Sequence, residues 1–111
     1  MNTSKTRGDE CEQIASNYYR SHGLRLLHKN KKVAGVEIDL IFQGLDCLLM
    51  VEVKSFSDST LNTFRVSKNQ KRRLLMARDF FQEKVRRPVQ MKVCFVKSSD
   101  ELFDLPIAEV L

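Results

Sequence analysis

The sequence predicts an α/β domain: a mixed central sheet flanked by helices, in the order helix, three strands, helix, strand. Three observations carry that expectation. Residues 8–22 and 67–84 space their apolar residues three and four apart, the period of a helix with one buried stripe. The segments between and after them alternate polar with apolar, or run apolar over short stretches, as strands do. The first three strand segments follow one another directly, as antiparallel strands can. The last comes only after a helix, a crossover long enough to return it parallel to a neighbour.

Residues 1–7, MNTSKTR, read as a loose basic tail. In the first helix Glu12, Ala15, Tyr19 and His22 share a face, Asp9 and Glu10 complement the dipole at its start, and Gly23 ends it. Residues 24–28 and 33–42 are strand-like, and KNKK at 29–32 is expected as the turn between them. QGLD at 43–46 is the expected hairpin turn joining 36–42 to 47–55, and 55–64, without periodicity, is expected as a loop. In the second helix Gln70, Leu74, Ala77 and Phe81 form one stripe until Pro88 breaks the pattern. Residues 89–96 make the final strand, and the last dozen residues, with Pro106, either a short strand or a packed tail. Nothing repeats and no linker interrupts the pattern, so 1–111 is expected to be one domain.

With 42% apolar and 30% charged residues, 111 residues suffice for one ordinary core. No run approaches the ~20 apolar residues of a membrane span, and the opening MNTSKTRGDE lacks a signal peptide's apolar stretch. A cytoplasmic protein without a membrane partner is expected. Cys11, Cys47 and Cys94 are odd in number and widely spaced, which fits reduced, mostly buried residues better than disulfides or a zinc site. A net charge of +5 favours polyanions, above all nucleic acid. Its lysines and arginines cluster at 29–32, 68–73 and 84–87, although any one cluster is equally a solvated face.

The segment VEIDLIFQGLDCLLMVEVK, 36–54, sets Glu37, Asp39, Glu52 and Lys54 among apolar neighbours. By alternation Glu37 and Asp39 share one face of their strand, and Glu52 and Lys54 share one face of the next. A hairpin turning near Leu45 and Asp46 brings Asp39 opposite Glu52, at a Cβ separation of ~5 Å. Two carboxylates that close repel, and a hard divalent cation such as Mg²⁺ (or Mn²⁺) would resolve the conflict. A solvated charged face with Lys54 as a counter-ion is the plain alternative. It fits less well because Leu48 to Val51 is apolar on both faces, as in a strand covered on both sides. Glu12 and Gln70 add weight, since each lies near a helix start in phase with the inward stripe, where a polar group needs a partner.

Asp39 followed by Glu52-Val53-Lys54 resembles the PD-(D/E)xK signature of restriction-endonuclease-like nucleases. In order, EQIASNYYRSHGLRLLHKN, VEIDLI, VEVK and KRRLLMA resemble the YraN-type family of uncharacterised bacterial proteins, over residues 8–96. The shared features are Glu12, Ala15, Gly23, Asn30, residues 37–41 and residues 51–54. The chain departs from the pattern at Val36 (usually Gly), Ser55-Phe56 (usually Thr-Arg) and Gln70 (commonly Lys). The resemblance implies a restriction-endonuclease-like αβββαβ core. It also implies Mg²⁺ on Asp39, Glu52 and the Val53 carbonyl, with Glu12 reached through water or a second ion. Lys54 would orient or deprotonate the attacking water or stabilise phosphate charge, and Gln70 would touch water or phosphate. Glu37 would either assist Asp39 or pair with a lysine. Lys68, Lys71, Arg72 and Arg73 would contact backbone phosphates, and Phe64, Tyr18 and Tyr19 could stack on bases, although the tyrosines suit the core better.

The leading expectation is a metal-dependent endonuclease acting on DNA, with branched or damaged structures as the specific case. Related nucleases often need two sites to cut both strands, which leaves room for a homodimer. Two rivals stand beside it. One is a nucleic-acid-binding protein that keeps the nuclease fold but turns over weakly or not at all. The other is a scaffold in which Glu52 and Lys54 are a structural pair.

Overall fold

The structure, a computed structural model, describes residues 6–58 and 64–111. Helix α1 (Arg7–Ser21) leads into strands β1 (Arg25–Val33), β2 (Val36–Gln43) and β3 (Leu48–Ser55). Helix α2 (Lys68–Val85), strands β4 (Val89–Ser98) and β5 (Glu101–Pro106), and a 3-10 turn, Ile107–Glu109, complete the chain. The five strands lie in the order β1-β2-β3-β4-β5. All neighbours are antiparallel except β3 and β4, which run parallel because α2 carries the chain back between them.

Each helix covers one face. Cys11, Ala15 and Tyr19 of α1 pack on Leu40, Phe42, Leu49, Val51, Cys94 and Val96. Leu74 and Ala77 of α2 pack with Ile38, Ile41, Met50, Met91, Val93 and Phe95 on the other. This explains why β3 reads as a near-continuous apolar run: both faces of it are buried. Both helices start on a side-chain cap. Thr6 accepts the Asp9 N–H and Ser67 the Gln70 N–H, each at 3.1 Å.

Three sequence expectations are corrected and one alternative is decided. KNKK is not a turn but the second half of β1. The turn lies at Ala34-Gly35, both at positive φ (52° and 80°), the two-residue hairpin whose twist matches its strands. Edge strands tolerate such lysines, which discourage further pairing. The basic tail is shorter than expected, since Arg7 already belongs to α1 and donates to the Lys97 carbonyl at 2.6 Å; residues 1–5 lie outside the described residues, as do 59–63 of the expected loop. Of the two alternatives for the C-terminal residues, the short strand is the one formed: β5, with buried Ile107 and Val110 behind it. Finally, alternation does not run unbroken through Asp39. Ile38 and Ile41 both pack on the α2 side, whereas Leu40 and Phe42 pack on the α1 side, so β2 rolls at this residue.

Candidate active site

The roll in β2 is where the site begins. The β2–β3 ladder pairs Gln43 with Leu48 through to Leu40 with Val51 and then stops. One step further it would set Asp39 against Glu52. Instead the Asp39 carboxylate takes over from the backbone and accepts the Val53 N–H at 2.7 Å. Across from it on β1, between the Lys29↔Leu40 and Lys31↔Ile38 pairs, Asn30 sits in the left-handed region at φ 50°. Asn tolerates that conformation better than most residues, and the irregularity matches the roll of its neighbour. The family-like Asn thus has a local geometric role that strand periodicity alone gave no means of seeing.

Glu52 and Lys54 lie on the face that α2 covers, and the first turn of α2 brings Gln70 onto both. Its Nε2 donates to Glu52 Oε2 at 2.9 Å and its Oε1 accepts from Lys54 Nζ at 3.1 Å. The ammonium is 3.8 Å from the same Glu52 oxygen. Ser67, by capping α2 through the Gln70 N–H, fixes where this amide stands. The other Glu52 oxygen, Oε1, is buried and has no hydrogen-bond partner.

Burial chiefly, and then the Asp39 charge, push the Glu52 carboxyl up to about 8. Burial also raises Asp39, against the pull of the Val53 N–H and of a hydrogen bond shared with the Glu52 carboxyl. Glu12 on α1 is raised by burial and then by Asp39, and Lys29 on β1 partly offsets this. The acids therefore act on one another as a group, with Glu37 adding to the repulsion on Glu12 and Asp39 while itself exposed. Lys29 belongs to this electrostatic neighbourhood. Sequence reasoning placed it in a turn and so missed it.

Among the described residues no group of three or more His, Cys, Asp or Glu side chains stands close enough to hold a metal ion. The close set is Asp39, Glu52, Lys54 and Gln70, with Glu12 at longer range. The basic residues at 68–73 occupy the start of α2, beside Gln70. Lys68 and Arg73 are exposed, and Arg72 is exposed but bonded to Asn69 at 2.6 Å. Lys71 holds the Val110 carbonyl at 2.8 Å, so its ammonium straps the C-terminal segment to α2.

A mixed sheet with one helix on each face and an Asp, Glu-x-Lys set at one end is a restriction-endonuclease-like topology. Comparison with known proteins agrees. A family model, "Uncharacterised protein family UPF0102", matches residues 11–105, and the chain belongs to that family. A UPF0102 protein of Chromohalobacter salexigens is 41% identical over 58 residues, 52% of this chain and 47% of its own. One from Herminiimonas arsenicoxydans is 31% identical over 83 residues, 73% of this chain and 67% of its own. One from Campylobacter hominis is 28% identical over 94 residues, 85% and 84% of the two chains. The matched part of this chain spans about half the length of the first of these relatives.

Proposed function

We propose that this protein is a metal-dependent nuclease that hydrolyses phosphodiester bonds in DNA, with Mg²⁺ or Mn²⁺ held between Asp39 and Glu52. The observation that supports this most is the buried Glu52 carboxyl set against the half-buried Asp39 carboxyl, with no N–H donor reaching Glu52 Oε1. Keeping a carboxylate from water without a hydrogen bond is costly, and a cation would remove the cost. The donors fit a hard ion because they are all oxygens. A strand residue directs its N–H and C=O to the same side. Val53, whose N–H reaches Asp39, therefore also turns its carbonyl toward the open end of β2.

When bound, the cation would activate water and polarise the scissile phosphate. The protein's own groups do the rest. Lys54, kept in place by Gln70, presents an ammonium beside the carboxyl pair, where it can stabilise phosphate charge or hold the attacking water. Gln70 keeps acid and base in register. Glu12 approaches from the α1 side and completes the set through water. The N-terminus of α2, with Lys68, Arg72 and Arg73 and no acidic residue in its first turn, favours a backbone phosphate. Branched or damaged DNA is the proposed substrate, and a homodimer would place two such sites on opposite strands.

That no group of three or more His, Cys, Asp or Glu among the described residues is close enough to hold a metal ion favours one rival, a protein that binds nucleic acid but cleaves weakly. Labelled single-stranded, duplex, flap and four-way-junction DNA, with an RNA control, separate the two when incubated with Mg²⁺ or Mn²⁺. Metal-dependent cutting that disappears in Asp39→Ala and Lys54→Ala is the expected result. Binding without cutting in all three proteins would establish the rival.

A further inference from the structure

We propose that the phenylalanines beside Lys54 form a stacking platform for unpaired nucleobases, so that the site engages single-stranded segments next to the phosphate it acts on. The inference rests on the nucleic-acid part of the function proposed above, and it adds the substrate's strand structure.

The placement follows from the strand register. Lys54 pairs with Phe95 on β4, and Phe95 pairs with Phe103 on β5. Phe56, two residues beyond Lys54 on the same strand, keeps the ladder going through its N–H to the Val96 carbonyl at 3.0 Å. Side chains two apart share a face, so Lys54, Phe56, Phe95 and Phe103 all lie on the α2 side of the sheet. Phe64 closes the group, with its ring centre 5.0 Å from those of Phe56 and Phe103 and 5.3 Å from that of Phe95.

Phe95 is fully buried, which is ordinary core behaviour. Phe64 and Phe103 are not: they remain 41% and 37% exposed. The three contacts of Phe64 are T-shaped, at 66°, 62° and 87°, so none of them sandwiches its ring face to face. Exposed rings cost hydration free energy unless something covers them. Phe103 stands two strand spacings from Lys54, ~10 Å, or about three base steps of a nucleic-acid strand. Arg65, exposed, directly follows Phe64 in sequence and adds a positive charge to this segment. Aromatic faces beside basic residues are the combination that binds unpaired bases without reading their sequence.

The chain contains no tryptophan, which makes Phe64→Trp a single-fluorophore reporter. It should be titrated, with EDTA present so that nothing is cut, with a single-stranded oligonucleotide, the corresponding duplex and an abasic strand of equal length. The expected result is quenching by the base-bearing strand, little by the duplex or the abasic strand, and a roughly tenfold loss of single-strand affinity for each of Phe64→Ala and Phe103→Ala, the scale of base–aromatic stacking. Phe80→Ala, which removes an exposed ring from the outer part of α2, should leave the affinity unchanged. Equal binding of abasic and base-bearing strands, or of duplex and single strand, would overturn the platform, as would absence of binding. A change in oligomeric state in the alanine variants with nucleic-acid affinity intact would instead make this face a contact between copies of the chain. Cleavage of single-stranded or flap DNA unimpaired in Phe64→Ala/Phe103→Ala would sink the platform and leave the nuclease standing; stacking without cleavage in Mg²⁺ would do the reverse.

Discussion

Burial and the neighbouring Asp39 charge push the Glu52 carboxyl up to about 8 in the folded chain, against 4.5 for an ordinary glutamate. Between those values the folded state binds more protons than the unfolded one, so metal-free stability is highest below about pH 4.5, as far as this group decides it, and falls as pH rises toward 8. Asp39 and Glu12 are shifted in the same direction and add to the slope. Glu52→Gln should therefore flatten the pH dependence. It should also stabilise the metal-free protein at pH 8 by on the order of a few kcal/mol, measured by urea unfolding in EDTA at several pH values. A slope unchanged by the substitution would show that the carboxyl is not the buried group described. Lys54 makes a different prediction. Its ion pair with Glu52 is long and its side chain is about a third exposed, so Lys54→Ala should change stability by less than ~1 kcal/mol. If it acts on water or phosphate, cleavage should fall by ~100-fold or more. A large loss of stability instead would support the structural-pair reading.

At the level of elements, the turn between β1 and β2 carries a small, removable strain. Ala34 occupies the left-handed region at φ 52°, where a Cβ is unfavourable and Asn or Gly is preferred. Ala34→Asn should stabilise the protein by about 0.5–1 kcal/mol without touching the site, again read by urea unfolding. Ser67→Ala should cost about 1 kcal/mol as a lost cap. Because the cap holds Gln70, it should also lower cleavage more than an equally destabilising change elsewhere. The helices, β3 and the 43–46 turn were legible in the sequence because their periodicity and turn residues agree with their tertiary surroundings. The first hairpin was not. Ala-Gly is a weak turn signal beside KNKK, whose lysines imitate a loop while lying on a strand edge. The roll at Asp39 was hidden for a related reason: it shows only in which cluster each neighbour joins, and Ile38, Leu40, Ile41 and Phe42 are all apolar.

For the whole molecule, the sheet separates two kinds of work. Apolar residues on both faces bind the helices, while the acids, Lys54 and Gln70 collect at the end where β2 leaves β3. The set Asp39, Glu52 and Lys54 was legible because charged residues are rare in a strand buried on both sides. The role of Lys71 was not, since a basic cluster gives no sign of which lysine is spent on a backbone carbonyl. No helix among the described residues is long and apolar enough to cross a membrane. With a net charge of +5 and Lys68, Arg72 and Arg73 beside Gln70, the proposed nucleic-acid binding should weaken steeply with salt. Lys68→Glu/Arg73→Glu should reduce both the affinity and that slope in anisotropy titrations, whereas Lys71→Glu should chiefly weaken the fold.

Whether Asp39 and Glu52 form one cation site is read without any substrate by calorimetric titration of the purified protein with Mg²⁺ or Mn²⁺. At pH 7, in buffers of different ionisation enthalpy, binding should release protons, since a carboxyl protonated in the metal-free site must ionise to act as a ligand. It should tighten as pH rises and vanish in Asp39→Ala and Glu52→Gln. Binding without proton release, or binding that survives both substitutions, would place the ion elsewhere and contradict the account.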